Sequence, residues 1–240
     1  MSVSPACLDS LRGPWYKPAM MDVDIFATVQ RVSVFFIPAL LGIILHEVAH
    51  GWVADRLGDP TARFMGRLTI NPLPHIDPLG LAVFVLTSAL GGFVFGWARP
   101  VPVNPRYFRN PLKGMMLVAL AGPGTNLLLA AVMAALLRVF LLFEPAISPT
   151  TEFIVKALYY GAGINVGLAC LNLLPVPPLD GSRVLAYFLP FGVAARYMSV
   201  ERYGMVILIG LMAAGLLDKL LLPVMRLCLE TLFSVIGLPV

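Results

Sequence analysis

The chain has 240 residues, 59% hydrophobic and only 12% charged, against roughly a quarter charged in an ordinary soluble domain. That much apolar surface excludes a water-soluble fold and points to membrane spans of about 20 apolar residues each. The net charge of +4 does not mark a nucleic-acid binder, because the basic residues are spread through loops between apolar runs rather than gathered in one patch.

Residues 1 to 24 lack the apolar core of a secretory signal, so no cleaved leader is expected, and Met20 or Met21 is an alternative start. Cys7, Cys170 and Cys228 are isolated, without the close pairs of a structural zinc site or a disulfide framework. The first expected span runs from about Val32 to Leu57, roughly 26 residues or about 39 Å, and Pro38 is a tolerable kink within it. Trp52 marks its interface, and Asp55 and Arg56 mark water. Next, the β-branched content of Arg67 to Asn71 suits a short strand. Arg99-Pro-Val-Pro-Val-Asn104 is extended because its prolines exclude helix, so the two segments are expected to pair. Between them, Leu79 to Trp97 is apolar but interrupted at Gly91-Gly92. Met115 to Phe143 and Phe153 to Leu174 are the next spans. Val184 to Met198, broken by Pro190, reads as interfacial; Tyr203 to Leu217 reads as a span; Leu220 to Leu238 spans or lies on the surface.

Lysine and arginine set sidedness. Arg56, Arg63, Arg67, Arg99, Arg106, Arg109 and Lys113 all lie between the first two long spans, whereas the connection from Glu144 to Glu152 has two acids and no base. The first stretch is therefore placed in the cytoplasm and the second outside, with Arg138 and Lys156 snorkelling to water near the outer connection. The fold class is an all-α polytopic membrane protein. About 4–6 transmembrane helices are expected, surrounding a three-helix catalytic core with a re-entrant segment and small β elements. The whole chain, 1–240, reads as one membrane-embedded domain, with the core at about 32–185 and the C-terminal helices at about 186–240.

His46-Glu47-Val48-Ala49-His50 is an HExxH motif on a predicted helix. Imidazoles four residues apart project from one helical face and can hold one zinc ion. Glu47 can then reach a bound water whose pKa zinc lowers to about 7, and take its proton as it attacks a polarised amide. His46 lies nine residues before Asp55, about 14 Å along the helix, well inside the hydrocarbon. There an ionisable side chain costs about 2.5–3.5 kcal/mol unless paired, hydrated or bound to metal. A catalytic zinc needs a third protein ligand. Asp55 and Asp59 lie at the water edge, and Asp180, in the proline-rich run Asn172 to Gly181, is the better candidate; an ordinary interfacial turn is its alternative reading. His75 and Asp77 read as a polar turn at the interface, with a second metal site or a lid as the alternative. Asn126 and Asn165 read as helix-packing hydrogen bonds.

Taken together, His46-Glu47-x-x-His50, Ala121-Gly122-Pro123, Asn172-x-x-Pro175 and Leu179-Asp180-Gly181 resemble the motifs of the site-2 proteases, intramembrane zinc metalloproteases, over roughly Leu41 to Leu185. The resemblance implies that His46, His50 and Asp180 bind one Zn2+, that Glu47 is the catalytic base and that Asn172 contacts substrate. It also implies a short form without an inserted PDZ domain or a nucleotide-sensing domain, gated by the membrane part or by a regulatory membrane partner. The expected activity is zinc-dependent endopeptidase cleavage in or beside transmembrane segments of membrane-protein substrates, at the cytoplasmic side of the cell membrane. A metal transporter and a non-catalytic membrane-binding protein of the same fold are the alternatives.

A parity argument follows from this ligand set. Zinc ligands must meet at one depth, so the helices leading to His50 and to Asp180 should run the same way, with Met115 to Phe143 as the one return crossing. Leu79 to Trp97 is then re-entrant or a hairpin bent near Gly91-Gly92, flanked by strands whose free edge could take up an unwound substrate.

Overall fold

The computed structural model describes residues 25–90, 98–143, 146 and 148–238. Three long helices form the centre: α1 (Ile25–Arg56), with α4 (Pro111–Leu142) and α5 (Pro149–Asn172). Each is long and apolar enough to cross a bilayer, α1 over Val32–Arg56. The start of α4 is set by Asn110, whose side chain accepts the Lys113 N–H, followed by Pro111 in the first turn. Helix α5 begins with a capping box between Ser148 and Thr151.

The three helices pack on one another through small residues. Ala130, Ala134, Ala162 and Ala169 are fully buried. A Cβ on Gly161 would lie 2.6 Å from the Met133 sulfur and 3.0 Å from Pro38, and one on Gly42 would lie 2.5 Å from Asn165 Oδ1. In lipid, where water drives no helix together, such close backbone approach and interhelical hydrogen bonds supply the association.

Between α1 and α4 lie α2 (Thr61–Phe64) and α3 (Pro78–Leu90), the latter capped by Asp77, whose Oδ1 accepts the Gly80 N–H at 2.8 Å. At 13 residues, α3 reaches about 20 Å, less than the ~30 Å hydrocarbon core. The Ile76–Ala98 antiparallel bridge and the Arg99 N–H to His75 O bond, 2.8 Å, bring the two ends of this segment side by side. The segment therefore leaves and returns at one place, as a re-entrant element must; its expected bend at Gly91-Gly92 lies outside the described residues.

The small sheet is a correction. Among the described residues only that single bridge forms, and neither Arg67–Asn71 nor Val101–Asn104 is a strand. Beyond Arg99, whose N–H goes to His75 O, the extended segment turns to side chains instead. Pro100 and Pro102 have no N–H, Val101 N–H donates to Glu47 Oε2 at 2.7 Å, and Asn104 N–H donates to Asp59 Oδ2 at 2.6 Å. His75 sits in a short turn, as expected, but buried: it is 1% exposed, with Nε2–H donating to Thr69 O at 2.9 Å.

After α5 come α6 (Asp180–Phe188) and α7 (Phe191–Met198), separated at Pro190 as expected for an interfacial pair. A continuous span from Tyr203 to Leu217 does not form. Helix α8 (Gly204–Ala213) has 10 residues, about 15 Å, and Gly215, at φ +63°, turns the chain into α9 (Leu216–Ile236). The arms Phe191–Ala213 and Leu216–Ile236 meet at 81°, a break only a residue tolerant of left-handed backbone allows cheaply. Counting this bent pair as one span gives up to four membrane-crossing elements among the described residues. Helix α9 packs on α5 and α4 through Leu217, Leu221 and Phe233.

Candidate metal centre

His46 and His50 lie one turn apart on α1, both buried. The facing wall is α4, and the Ala121-Gly122-Pro123 run inside it explains how close it comes. A Cβ on Gly122 would sit 2.5 Å from the Cε1 atoms of both imidazoles, so only glycine leaves the rings room. Asp180 arrives from the far end of the chain as the first residue of α6, after the proline turn that follows α5. Gly181 beside it presses on the carbonyl groups of Leu173 and Leu174 with no space for a side chain, which locks α6 against the end of α5.

The hydrogen-bond network settles which nitrogen of each ring faces the cluster. Asn126 Nδ2 donates to Gly42 O at 3.2 Å and to Asn165 Oδ1 at 2.9 Å; a backbone carbonyl only accepts, so the Asn126 oxygen must face His46 Nδ1, 2.6 Å away. His46 Nδ1–H is thus a donor. His50 Nδ1–H likewise donates to Val118 O at 2.7 Å. Both Nε2 atoms then carry lone pairs, and they face each other at 2.9 Å. Asp180 Oδ2 stands 3.2 Å from one and 3.3 Å from the other, buried and without a hydrogen-bond partner.

Three lone-pair donors at this spacing repel unless a cation lies between them. Ligands about 2.0–2.1 Å from a tetrahedral zinc stand roughly 3.3 Å apart, so the arrangement fits that ion. The outer bonds to Asn126 and Val118 are those that orient histidine ligands and raise their basicity. Among the described residues this is the group of three His, Cys, Asp or Glu side chains able to share an ion. Glu47, between the two histidines, is half-buried. Asn172, the last residue of α5, donates its amide to Leu168 O at 3.0 Å, within its own helix, and does not join the cluster. Asn126 and Asn165 are fully buried, and sequence patterning recognised them as packing residues without showing that Asn126 holds a histidine ring. The intramembrane position of an amide was the available signal; the carbonyl of Val118 leaves none in a sequence.

The cluster is a group able to hold one metal ion, set on a helix long and apolar enough to cross a membrane. The family model described as Peptidase family M50 matches residues 142–216. The "Putative zinc metalloprotease YwhC" of Bacillus subtilis is 34% identical over 86% of this chain and 92% of its own length. The "Putative zinc metalloprotease Rip2" of Mycolicibacterium smegmatis is 30% identical over 84% of this chain and 76% of its own length. A third, the "Putative zinc metalloprotease MJ0611" of Methanocaldococcus jannaschii, is 40% identical over 61% of this chain and 65% of its own length. No solved structure matches. This chain belongs to peptidase family M50, the site-2 proteases, and is a multi-pass membrane zinc metalloprotease.

Proposed function

We propose that this protease hydrolyses peptide bonds in or beside transmembrane segments of other membrane proteins, with His46, His50 and Asp180 as zinc ligands and Glu47 as the general base. The observation that carries the reading is the depth of the cluster: both histidines lie within the apolar stretch Val32–Arg56 of α1, buried against α4. A substrate bond reaching it must be at membrane depth too. When bound, zinc supplies a water acidic near neutral pH and a Lewis acid for the scissile carbonyl. Glu47 has Oε2 occupied by the Val101 N–H, which leaves Oε1 to take the water proton and pass it to the leaving amine. Asn126 and Val118 keep both rings in the tautomer that presents Nε2. Asn172 spends one amide hydrogen on Leu168 O, and the second remains for a substrate carbonyl.

The bases between α1 and α4 support a cytoplasmic position for this end of the bundle, and on that reading the released fragment is cytoplasmic. The chain acts as a single membrane domain, 1–240, whose access is gated by its own membrane part or by a membrane partner. Because helical amides are bonded internally, a substrate helix must unwind before attack. Single-span substrates carrying a Gly-Pro pair near their cytoplasmic end should be cut at least about tenfold faster than Leu-Ala versions, a ~1.4 kcal/mol difference. Equal rates for the two series would contradict cleavage of the helical segment itself.

A further inference from the structure

The extended segment 98–104 crosses the cytoplasmic end of α1. Its Val101 side chain is buried and packs where a Cβ on Gly51, the residue after His50, would lie 2.9 Å away. The segment is held beyond Val101 by Asp59, which is fully buried and accepts the Asn104 N–H. On the near side it is held by Arg67, which donates to Arg99 O at 2.5 Å and Pro100 O at 3.2 Å.

Pro100 O and Val101 N–H belong to the same peptide unit. That unit is trans and rigid, so its oxygen and its hydrogen point in opposite directions along one line. Arg67 grips the oxygen, and Glu47 accepts from the hydrogen at 2.7 Å. A cation, a peptide dipole and an anion are therefore aligned in series, each polarising the next. Arg67 is 5% exposed, and its Nε has no hydrogen-bond partner. Burying a guanidinium with a donor unsatisfied is costly, so its retention asks for a return beyond packing.

We propose that Arg67, acting through the Pro100–Val101 peptide, is a positioning residue that aims the Glu47 carboxylate at the reacting water. The claim rests on Glu47 being the base of a zinc peptidase, as read above. With Oε2 fixed to the Val101 N–H, the carboxylate cannot swing about its side-chain torsions, and Oε1 keeps one direction. A catalytic group displaced by about 1 Å loses on the order of 100-fold in rate. Zinc binding is not involved, because neither Arg67 nor Val101 bonds to His46, His50 or Asp180.

Val101→Pro removes the one N–H donor and suits the backbone, since a residue before Pro102 is already extended. In the zinc-loaded full chain it should lower kcat about 10- to 100-fold, with KM and bound zinc within about twofold of wild type. Val101→Ala keeps the N–H and serves as the packing control, so its fall in kcat should be smaller than that of Val101→Pro. Arg67→Ala should behave as Val101→Pro, and Arg67→Lys, which can still reach one carbonyl, should recover part of the loss. Independently of turnover, hydrogen exchange of the 98–104 backbone should be slow in wild type and fast in both Arg67→Ala and Glu47→Ala. Wild-type kcat in Val101→Pro, an equal fall in Val101→Ala, or unchanged exchange in Arg67→Ala would overturn the proposal. A wild type that cuts no substrate counts against the protease reading instead, and the exchange comparison then decides the positioning claim by itself.

Discussion

At the scale of single residues, the centre depends on what is absent as much as on what is present. Gly122 contributes no side chain, and the two histidine rings occupy the space one would fill. Gly124, two positions along the same helix, has nothing within 4 Å of its would-be Cβ. Gly122→Ala should therefore abolish stoichiometric zinc in purified protein, while Gly124→Ala leaves it unchanged; zinc analysis of both distinguishes a steric requirement at the metal site from a general intolerance of α4. The HExxH pair was legible because its spacing has one geometric meaning on a helix. Asp180 was legible only as one of two readings, because no spacing rule connects residues 130 positions apart. Its unpartnered, buried Oδ2 beside both Nε2 atoms is what the fold adds.

At the scale of elements, the long helices followed from composition, since runs of apolar residues near membrane length leave little choice of structure. In the helix from Pro149 to Asn172, Lys156 pairs with Glu152 one turn back. The strand expectation failed because β-propensity says which backbone is extended and not what it bonds to. In 98–104, besides the His75 carbonyl that takes the Arg99 N–H, the partners are the side chains of Glu47 in α1, Asp59 just after it and Arg67 beyond α2. The broken α8–α9 pair was missed because a glycine in an apolar run is common in membrane helices, and nothing in the run marks Gly215 as the one that takes a left-handed φ. The return of the α3 segment to its starting point makes a direct prediction. Single cysteines at Leu79 and Ala98 should be labelled by a membrane-impermeant reagent from the same face of the membrane, whereas labelling from opposite faces would show that the segment crosses.

At the scale of the whole molecule, α1 brings His46 and His50 and α6 brings Asp180 to one cluster, while α4 orients both rings through Asn126 and Val118, so an ion bound there would also clamp distant parts of the chain. Three lone-pair donors without a cation repel, and a ligand that binds only the folded state stabilises it by about 2.7 kcal/mol at a hundredfold excess over its Kd. Chelation should accordingly lower the thermal midpoint of the wild type by several degrees and leave an Asp180→Ala variant almost unaffected; equal shifts in both would mean that the chelator acts elsewhere. The function proposed for this protein joins peptidase chemistry to a membrane-buried site. It is tested most directly by incubating the purified, zinc-loaded chain with single-span substrates and comparing wild type with Glu47→Gln. Cleavage within the substrate's membrane segment is expected from wild type and none from Glu47→Gln, with one zinc retained in each; zinc present with no cleavage by wild type, or equal cleavage by both, would contradict that function.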